Sequence, residues 1–249
     1  TSPFSHPILP LLCTTEIVRE TSTGFPPPQR TFSAPEDARE QIRLALKTCE
    51  AITGRRPVGM WPSEGAVSEE VLNMMADEGV IWTATDEAIL FGSVPGAGRN
   101  ALRRRWTFHD RISVFFRDHG LSDLIGFSYQ KMDEEDAAQD LIGRIVSADA
   151  DDSGGTITIL LDGENPWDWY PHFGGPFLRA FYRGIEEKGI RTQTFSGAVA
   201  DKVPHNLPRL VPGTWMGTHF DNWIGREPAN RAWELLAGTR DIWKTRCED

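Results

Sequence analysis

Apolar and polar residues along the chain switch between two periods, and the switching predicts helices and strands in turn. Ser33-Ala-Pro-Glu36 has the spacing of a capping box, and after it Ile42, Ala45, Leu46 and Cys49 recur at helical spacing to about Thr53. Pro57–Trp61 reads as a short strand, and Ser68 as the cap of a helix carrying Val71, Met74, Met75 and Asp77 to Gly79. Val80–Thr85 and Ile112–Phe116 are β-branched and aromatic, which predicts two more strands. Glu134–Ser147 places Ala138, Leu141, Ile142 and Ile145 on one helical face. Thr156–Leu161, six residues of Thr, Ile and Leu, is the clearest strand pattern; Pro176–Ile185 is helical again and Gln193–Phe195 a weak strand. Beyond His205, Pro and Gly lead through Gly213-Thr-Trp-Met-Gly217 and an aromatic stretch to Trp223. A last helix follows, with Ala229, Ala232, Trp233 and Leu236 on one face.

Strand and helix in alternation imply an α/β fold with a parallel sheet and right-handed crossovers. The residues after the strands are polar: Glu64, Asp86, Asp118-His119 and Asp162, with His6 in the equivalent place in the first segment. Polar groups delivered from the carboxyl ends of many strands suit the active face of a (β/α) barrel. A doubly wound sheet would gather them at one switch point beside a glycine-rich phosphate loop, and neither GxGxxG nor GxxxxGK[ST] occurs. The expected layout is therefore a barrel domain over 1–205 and a helical segment over 206–249.

Composition narrows the function. The hydrophobic share of 39% and charged share of 25% are those of a globular chain. Asp and Glu outnumber Lys and Arg by 36 to 26, a net charge of −10, which opposes the phosphate neutralisation that nucleic-acid binding requires. No apolar run is long enough to span a membrane, and the first twelve residues lack a signal-peptide pattern, so neither a nucleic-acid nor a membrane partner is expected and a cytoplasmic setting is favoured. Three cysteines without CxxC predict reduced thiols. Nine tryptophans are more than a core of this size asks for. Their flat faces suit sugar rings and their N–H groups suit hydroxyls.

Several chemistries lack their residues. The six histidines show no HxxxH or HExxH, so a metal-dependent deacetylase or zinc hydrolase has no ligand spacing, and GxSxG is absent. No metal and no cofactor are expected. Two carboxylates at the ends of different strands remain, Glu64 in Met-Trp-Pro-Ser-Glu-Gly and Asp162 in Leu-Asp-Gly-Glu-Asn-Pro-Trp. Glycoside hydrolysis needs such a pair, one carboxyl ionised and the other protonated. The plainer alternatives are a helix-cap carboxylate for Glu64 and a turn residue for Asp162.

Four strings, in order, resemble glycoside hydrolase family 57, its α-amylase and amylopullulanase-like branch, over nearly the whole chain. Ser2–Leu12 is similar to the family's second motif, Gly59–Ser68 to the third, Leu160–Tyr170 to the fourth, and Gly213–Trp215 through Trp223–Gly225 and Asn230–Trp233 to the fifth. The resemblance implies Glu64 as nucleophile and Asp162 as acid/base, with Glu164 as a competitor or partner for the acid role. With the resemblance counted, His6 and His119 are expected to bond sugar hydroxyls, the alternative being buried structural histidines; Asp118 bonds a hydroxyl or merely His119; and Trp61, Trp167, Trp169, Trp215 and Trp223 are candidate stacking platforms, Trp215 and Trp167 foremost. It further implies an α-glucan oligo- or polysaccharide as substrate. The Phe-Gly-His-Trp-Trp continuation expected of the branching enzymes is absent after Trp167. The family's first, histidine-bearing motif is also absent, so the expected fold is an incomplete (β/α)7 TIM-like barrel lacking one or more N-terminal strands, followed by the helical appendage.

Overall fold

The computed structural model describes residues 1–21, 24–151, 155–201 and 203–247. Two compact units form: one from Thr1–Gly96, Trp106–Phe115 and Pro204–Asp249, the other from Ala97–Arg105 and Phe116–Val203. Among the described residues the helices are α1 Leu9–Cys13, α2 Pro35–Thr53, α3 Glu69–Asp77, α4 Glu87–Ser93, α5 His119–Asp123, α6 Glu134–Asp151, α7 Gly175–Glu187, α8 Phe195–Asp201 and α9 Glu227–Cys247. The strands are β1 Gly59–Met60, β2 Trp82–Asp86, β3 Trp106–Phe108, β4 Ile112–Arg117 and β5 His205–Leu207. No described helix is long and apolar enough to cross a membrane.

The strands lie in the order β1-β2-β4-β3-β5. Gly59 and Met60 pair in parallel with Trp82 and Thr83, and β5 runs parallel to β3. The pair β3–β4, however, is antiparallel, with Trp106 opposite Val114 and Phe108 opposite Ile112, so the sheet is mixed rather than all parallel. Between them His109 and Asp110 take φ of 49° and 54°, and the Arg111 amide donates to the Phe108 carbonyl. Two successive positive φ values make a type I′ hairpin turn. The His109 ring stacks on Phe108 at 3.9 Å, an aromatic contact that steadies a turn without the usual Asn-Gly.

Around the sheet, α2 starts as predicted but for a different reason. Pro35, with φ pre-set for a helix, occupies the first turn after Ala34, which makes no side-chain cap bond. Ser33 instead donates to the Cys13 carbonyl, so the expected capping box does not form. Ala38, Ile42, Ala45 and Leu46 face the core, and Gly54, at φ 73°, ends the helix. Ser68 does cap α3, accepting from the Val71 amide. In α9 the inward face runs through Trp233 and Ala237 rather than Leu236, which is exposed; Trp233 meets Phe32 at 5.3 Å.

The second unit is built on α6 against α7. Ala138, Leu141 and Ile145 pack on Phe177 and Ala180. Gly184 lets the helices close in, since a Cβ there would lie 2.1 Å from Ile142. Two strand expectations fail in this unit. Thr156–Leu161 keeps its period of two, with Ile157, Ile159 and Leu161 packed on the core, yet it joins no ladder. Its hydrogen bonds go elsewhere: the Thr156 amide to Arg103 O, Thr158 O from the Asp118 amide, and the Leu160 amide to Ser122 Oγ. Phe195 begins α8 rather than ending a strand, because Thr194 caps the helix, accepting from the Gly197 and Ala198 amides.

Candidate active site

Glu64 sits four residues beyond Met60, the last residue of β1, in a tight turn over Ser63–Gly65. Its φ of 56° and ψ of 24° are left-handed, a conformation that costs an ordinary residue about 1–2 kcal/mol. Neighbouring groups hold the turn in that state. Thr85 on β2 is fully buried and donates to Gly65 O at 2.7 Å, while Gly65, at φ 61°, leaves space that Trp61 and Trp215 fill. Val67 and Gly213 form an antiparallel bridge just after it. These contacts turn the Glu64 carboxylate toward two N–H groups. Trp215 Nε1 donates to Oε2 at 3.0 Å, and His6 Nε2 lies 3.2 Å from Oε1. A carboxylate only accepts, so the proton of that second bond is on Nε2. The Glu64 side chain keeps 26% of its surface exposed.

His6 reaches Glu64 from a turn that α2 fastens. The Phe4 amide donates to Gln41 O, the Ser5 amide to Gln41 Oε1, and the His6 amide to Pro3 O. The Trp61 ring meets Trp215 edge-on, 5.4 Å between centroids. Trp223 faces a different neighbourhood: it packs on the cluster of Ile8, Leu11, Phe220 and Ile224, and its carbonyl accepts from Trp233 Nε1. Thus the first unit gathers His6, Glu64, Trp61 and Trp215 at one point, with Trp223 built into the adjoining core. Asp86, polar and at the end of β2, is buried and caps α4 through the Ala88 amide.

In the second unit Asp118 and His119 stand at the start of α5, directly after β4. Asp118 caps that helix through the Leu121 amide and pairs with Arg99 at 2.7 Å. His119 lies between Arg117 and Asp123. The guanidinium, which only donates, is 3.1 Å from Nδ1, so Nδ1 accepts and Nε2 carries the proton toward Asp123 at 2.9 Å. Arg117 is itself buried and also pairs with Asp123 at 3.1 Å. Asp162 is half-buried and Glu164 exposed, the latter leading into the turn Asn165–Trp169. Trp167 packs against Tyr170 at 5.4 Å and lies so closely over Gly174 that a Cβ there would come within 2.4 Å of its ring. The exposed indole of that string is Trp169.

Arg117, Asp123 and Arg99 were absent from the sequence-level candidates. Arg117 at the end of β4 and Asp123 in α5 come together around His119, and Arg99 pairs with the adjoining Asp118. Thr85 was also missed, since one threonine in a β-branched run carries no separate signal. Among the described residues, no group of three or more His, Cys, Asp or Glu side chains is placed to hold a metal ion.

The model of the family described as Glycosyl hydrolase family 57 matches residues 1–210. No curated protein matches the sequence. Among solved structures, the GH57-type branching enzyme of the archaeon Pyrococcus horikoshii aligns with a TM-score of 0.71 at 18% identity, over 95% of this chain and 51% of that one. The α-amylase AmyC of Thermotoga maritima aligns with a TM-score of 0.63 at 16% identity, over 86% of this chain and 51% of its own. The 4-α-glucanotransferase of Thermococcus litoralis does so at 0.60 and 22%, over 72% and 28%. The chain thus spans about half the length of the first two and less of the third. These likenesses show the fold: α/β, of the (β/α)7-barrel-like class, with the mixed sheet described above.

Proposed function

The chain belongs to glycosyl hydrolase family 57, and from that membership we propose that it cleaves α-glucans with retention of configuration, Glu64 serving as nucleophile and Asp162 as acid/base. Glu64 attacks the anomeric carbon while Asp162 protonates the departing glycosidic oxygen. Asp162 then takes a proton from the water that displaces the sugar from Glu64. No cofactor takes part. His6, Asp118, His119 and Glu164 would meet sugar hydroxyls or tune the acid, and Trp61, Trp167 and Trp223 would contribute apolar surface, with Trp215 beside Glu64.

The observation that supports this most is the setting of Glu64. Both carboxylate oxygens have an N–H partner, and the side chain remains partly open to solvent. A mere helix cap would turn its oxygens to backbone amides of its own helix; the partners of Glu64 are instead a histidine and an indole from distant parts of the chain.

Two substitutions test the reading on maltooligosaccharides. Glu64→Gln stops both half-reactions. Asp162→Asn lowers turnover about 10²–10⁴-fold on unactivated glucans and far less on activated aryl glycosides, which need little protonation. Full activity in Glu64→Gln overturns the assignment, and binding of maltooligosaccharides without turnover in the parent chain would make it a glucan-binding relative.

A second reading, 4-α-glucanotransfer, uses the same covalent intermediate with a glucan hydroxyl in place of water. It is favoured by the likeness to the Thermococcus litoralis 4-α-glucanotransferase. Product analysis separates the two, because transfer yields oligosaccharides longer than the substrate. The Asp-Gly-Glu-Asn-Pro-Trp string supports the amylase and amylopullulanase-like side.

A further inference from the structure

The fifth-motif tryptophan, Trp215, is a candidate stacking platform by sequence, but its hydrogen bonds argue for another task. We propose that Trp215 is the positioning residue of Glu64, fixing Oε2 through its indole N–H so that Oε1 is the attacking oxygen. The inference rests on Glu64 being the nucleophile.

Trp215 binds Glu64 at two points. Its backbone amide donates to the Glu64 carbonyl at 3.0 Å, and its Nε1 donates to Oε2 at 3.0 Å. The first bond holds the main chain in its left-handed turn and the second holds the carboxylate. The donor cannot drift, because it stands in a closed turn. Thr214 and Gly217 exchange amide–carbonyl bonds at 2.8 and 3.2 Å, and the Met216 amide bonds Thr214 Oγ1. The turn is tied down at its base as well. Gly213 and Val67 exchange bonds at 2.9 and 3.2 Å, and a Cβ on Gly213 would lie 2.4 Å from Gly217 O, so the two arms can approach this closely only at glycine.

The two N–H partners of Glu64 differ in kind. The indole N–H only donates and never titrates in the working range of an enzyme. His6 stands on an exposed turn with 58% of its side chain in solvent. The fixed donor therefore marks Oε2 as the oxygen that stays put, and Oε1, bonded to the more exposed partner, is the one that turns to the sugar. A donor already in place costs no reorganisation during the attack.

Trp215→Phe keeps an aromatic ring and removes the N–H. A second variant carries benzothienylalanine at position 215, the sulfur isostere of tryptophan, which keeps the whole bicyclic face and lacks only the donor. Both should lower kcat about tenfold or more on an aryl maltoside, with KM within about threefold of the parent. The double-mutant cycle with Glu64→Ala is the decisive arm. There azide supplies the nucleophile: its nitrogen bonds the anomeric carbon as the aryloxide leaves, giving the inverted glycosyl azide. With no carboxylate to position, Trp215→Phe should cost nothing further in that background.

If either variant raises KM with kcat kept, or slows the azide reaction as much as the parent's, Trp215 is a sugar platform and the proposal falls. Should azide fail to enter the Glu64→Ala site, the KM-against-kcat split of the benzothienylalanine variant decides alone. Parental turnover in Glu64→Ala without azide overturns the nucleophile assignment itself, a different failure from an innocuous Trp215→Phe beside an inactive Glu64→Ala.

Discussion

Gly65→Ala adds one methyl group beside the proposed nucleophile, and its cost can be worked from the structure. Gly65 has φ of 61°, where an alanine Cβ meets its own carbonyl environment at a cost of about 1–2 kcal/mol. The new Cβ would also lie 2.8 Å from the Trp61 ring and 3.4 Å from the Trp215 backbone nitrogen. Trp61 cannot swing away freely, because it meets Trp215 edge-on at 5.4 Å, and such overpacking costs about 1–3 kcal/mol. Against this, alanine restricts the unfolded chain and returns about 0.4–1 kcal/mol. The expected net loss is about 1–4.5 kcal/mol, and at about 2 °C per kcal/mol for a chain of this length the fall in Tm is about 2–9 °C. Urea titration at constant m reads the free energy, and a melting curve reads Tm. Activity should fall with stability, since displacing Trp61 disturbs Trp215, whose Nε1 donates to Glu64. Gly143→Ala is the control: it lies in α6 with no atom within 4 Å of a Cβ, and the substitution should stabilise by about 0.5–1 kcal/mol. A Gly65→Ala protein within about 0.5 kcal/mol of the parent would refute the reasoning, since strain and overpacking together cannot be that small.

Two other outcomes follow from charge and burial. Burial, with Glu70 nearby, pushes the Cys13 thiol up to about 12, so it holds almost no thiolate at neutral pH, whereas Cys247 is exposed. A disulfide reagent should therefore modify Cys247 at once and Cys13 only after denaturant is added; rapid modification of Cys13 in the native protein would contradict its burial. Bonds from Arg111 and Arg39 hold Asp77 below the usual carboxylate range, and although burial pushes Glu78 up, bonds from Arg43 and Arg39 outweigh it and leave Glu78 lowered as well. Carboxylates lowered in the folded state contribute stability that is complete above their unfolded values, about 4–4.5, and is lost as the pH falls through the folded ones. Arg39→Gln should thus lower Tm at pH 7, with the gap from the parent narrowing as the pH is taken down through the acid range, whereas parallel Tm–pH curves would show that Arg39 plays no part in the shift.

The sequence by itself determined what rests on neighbours a few residues apart. Ser68 caps α3 because the hydroxyl and the Val71 amide are three positions apart, and the α6 face of Ala138, Leu141 and Ile145 follows from a repeat of 3.6 residues. Glu64 could be singled out because an acidic group just beyond a strand is visible in the order of residues, and Asp162 because it follows an alternating apolar run that reads as one. Partners could not. Whether Thr156–Leu161 joins a sheet depends on which backbone groups lie beside it, and Arg103, Asp118 and Ser122 take its hydrogen bonds instead of a strand. The antiparallel β3–β4 turn uses His109-Asp110, a pair without the glycine that announces such turns, so only its stacking and φ values reveal it.

The tryptophans divide the same way. Composition marks nine of them as numerous, but each indole has a flat face and one N–H, and the chain order does not say which is used. Tertiary packing sets the surroundings of each: Trp167 lies over Gly174 in an aromatic cluster, Trp223 packs against a core, and Trp215 turns its N–H to a carboxylate 151 residues away. Local spacing is written in the sequence because it is set by the geometry of one backbone; a hydrogen bond across 151 residues is set by where two separate segments come to rest.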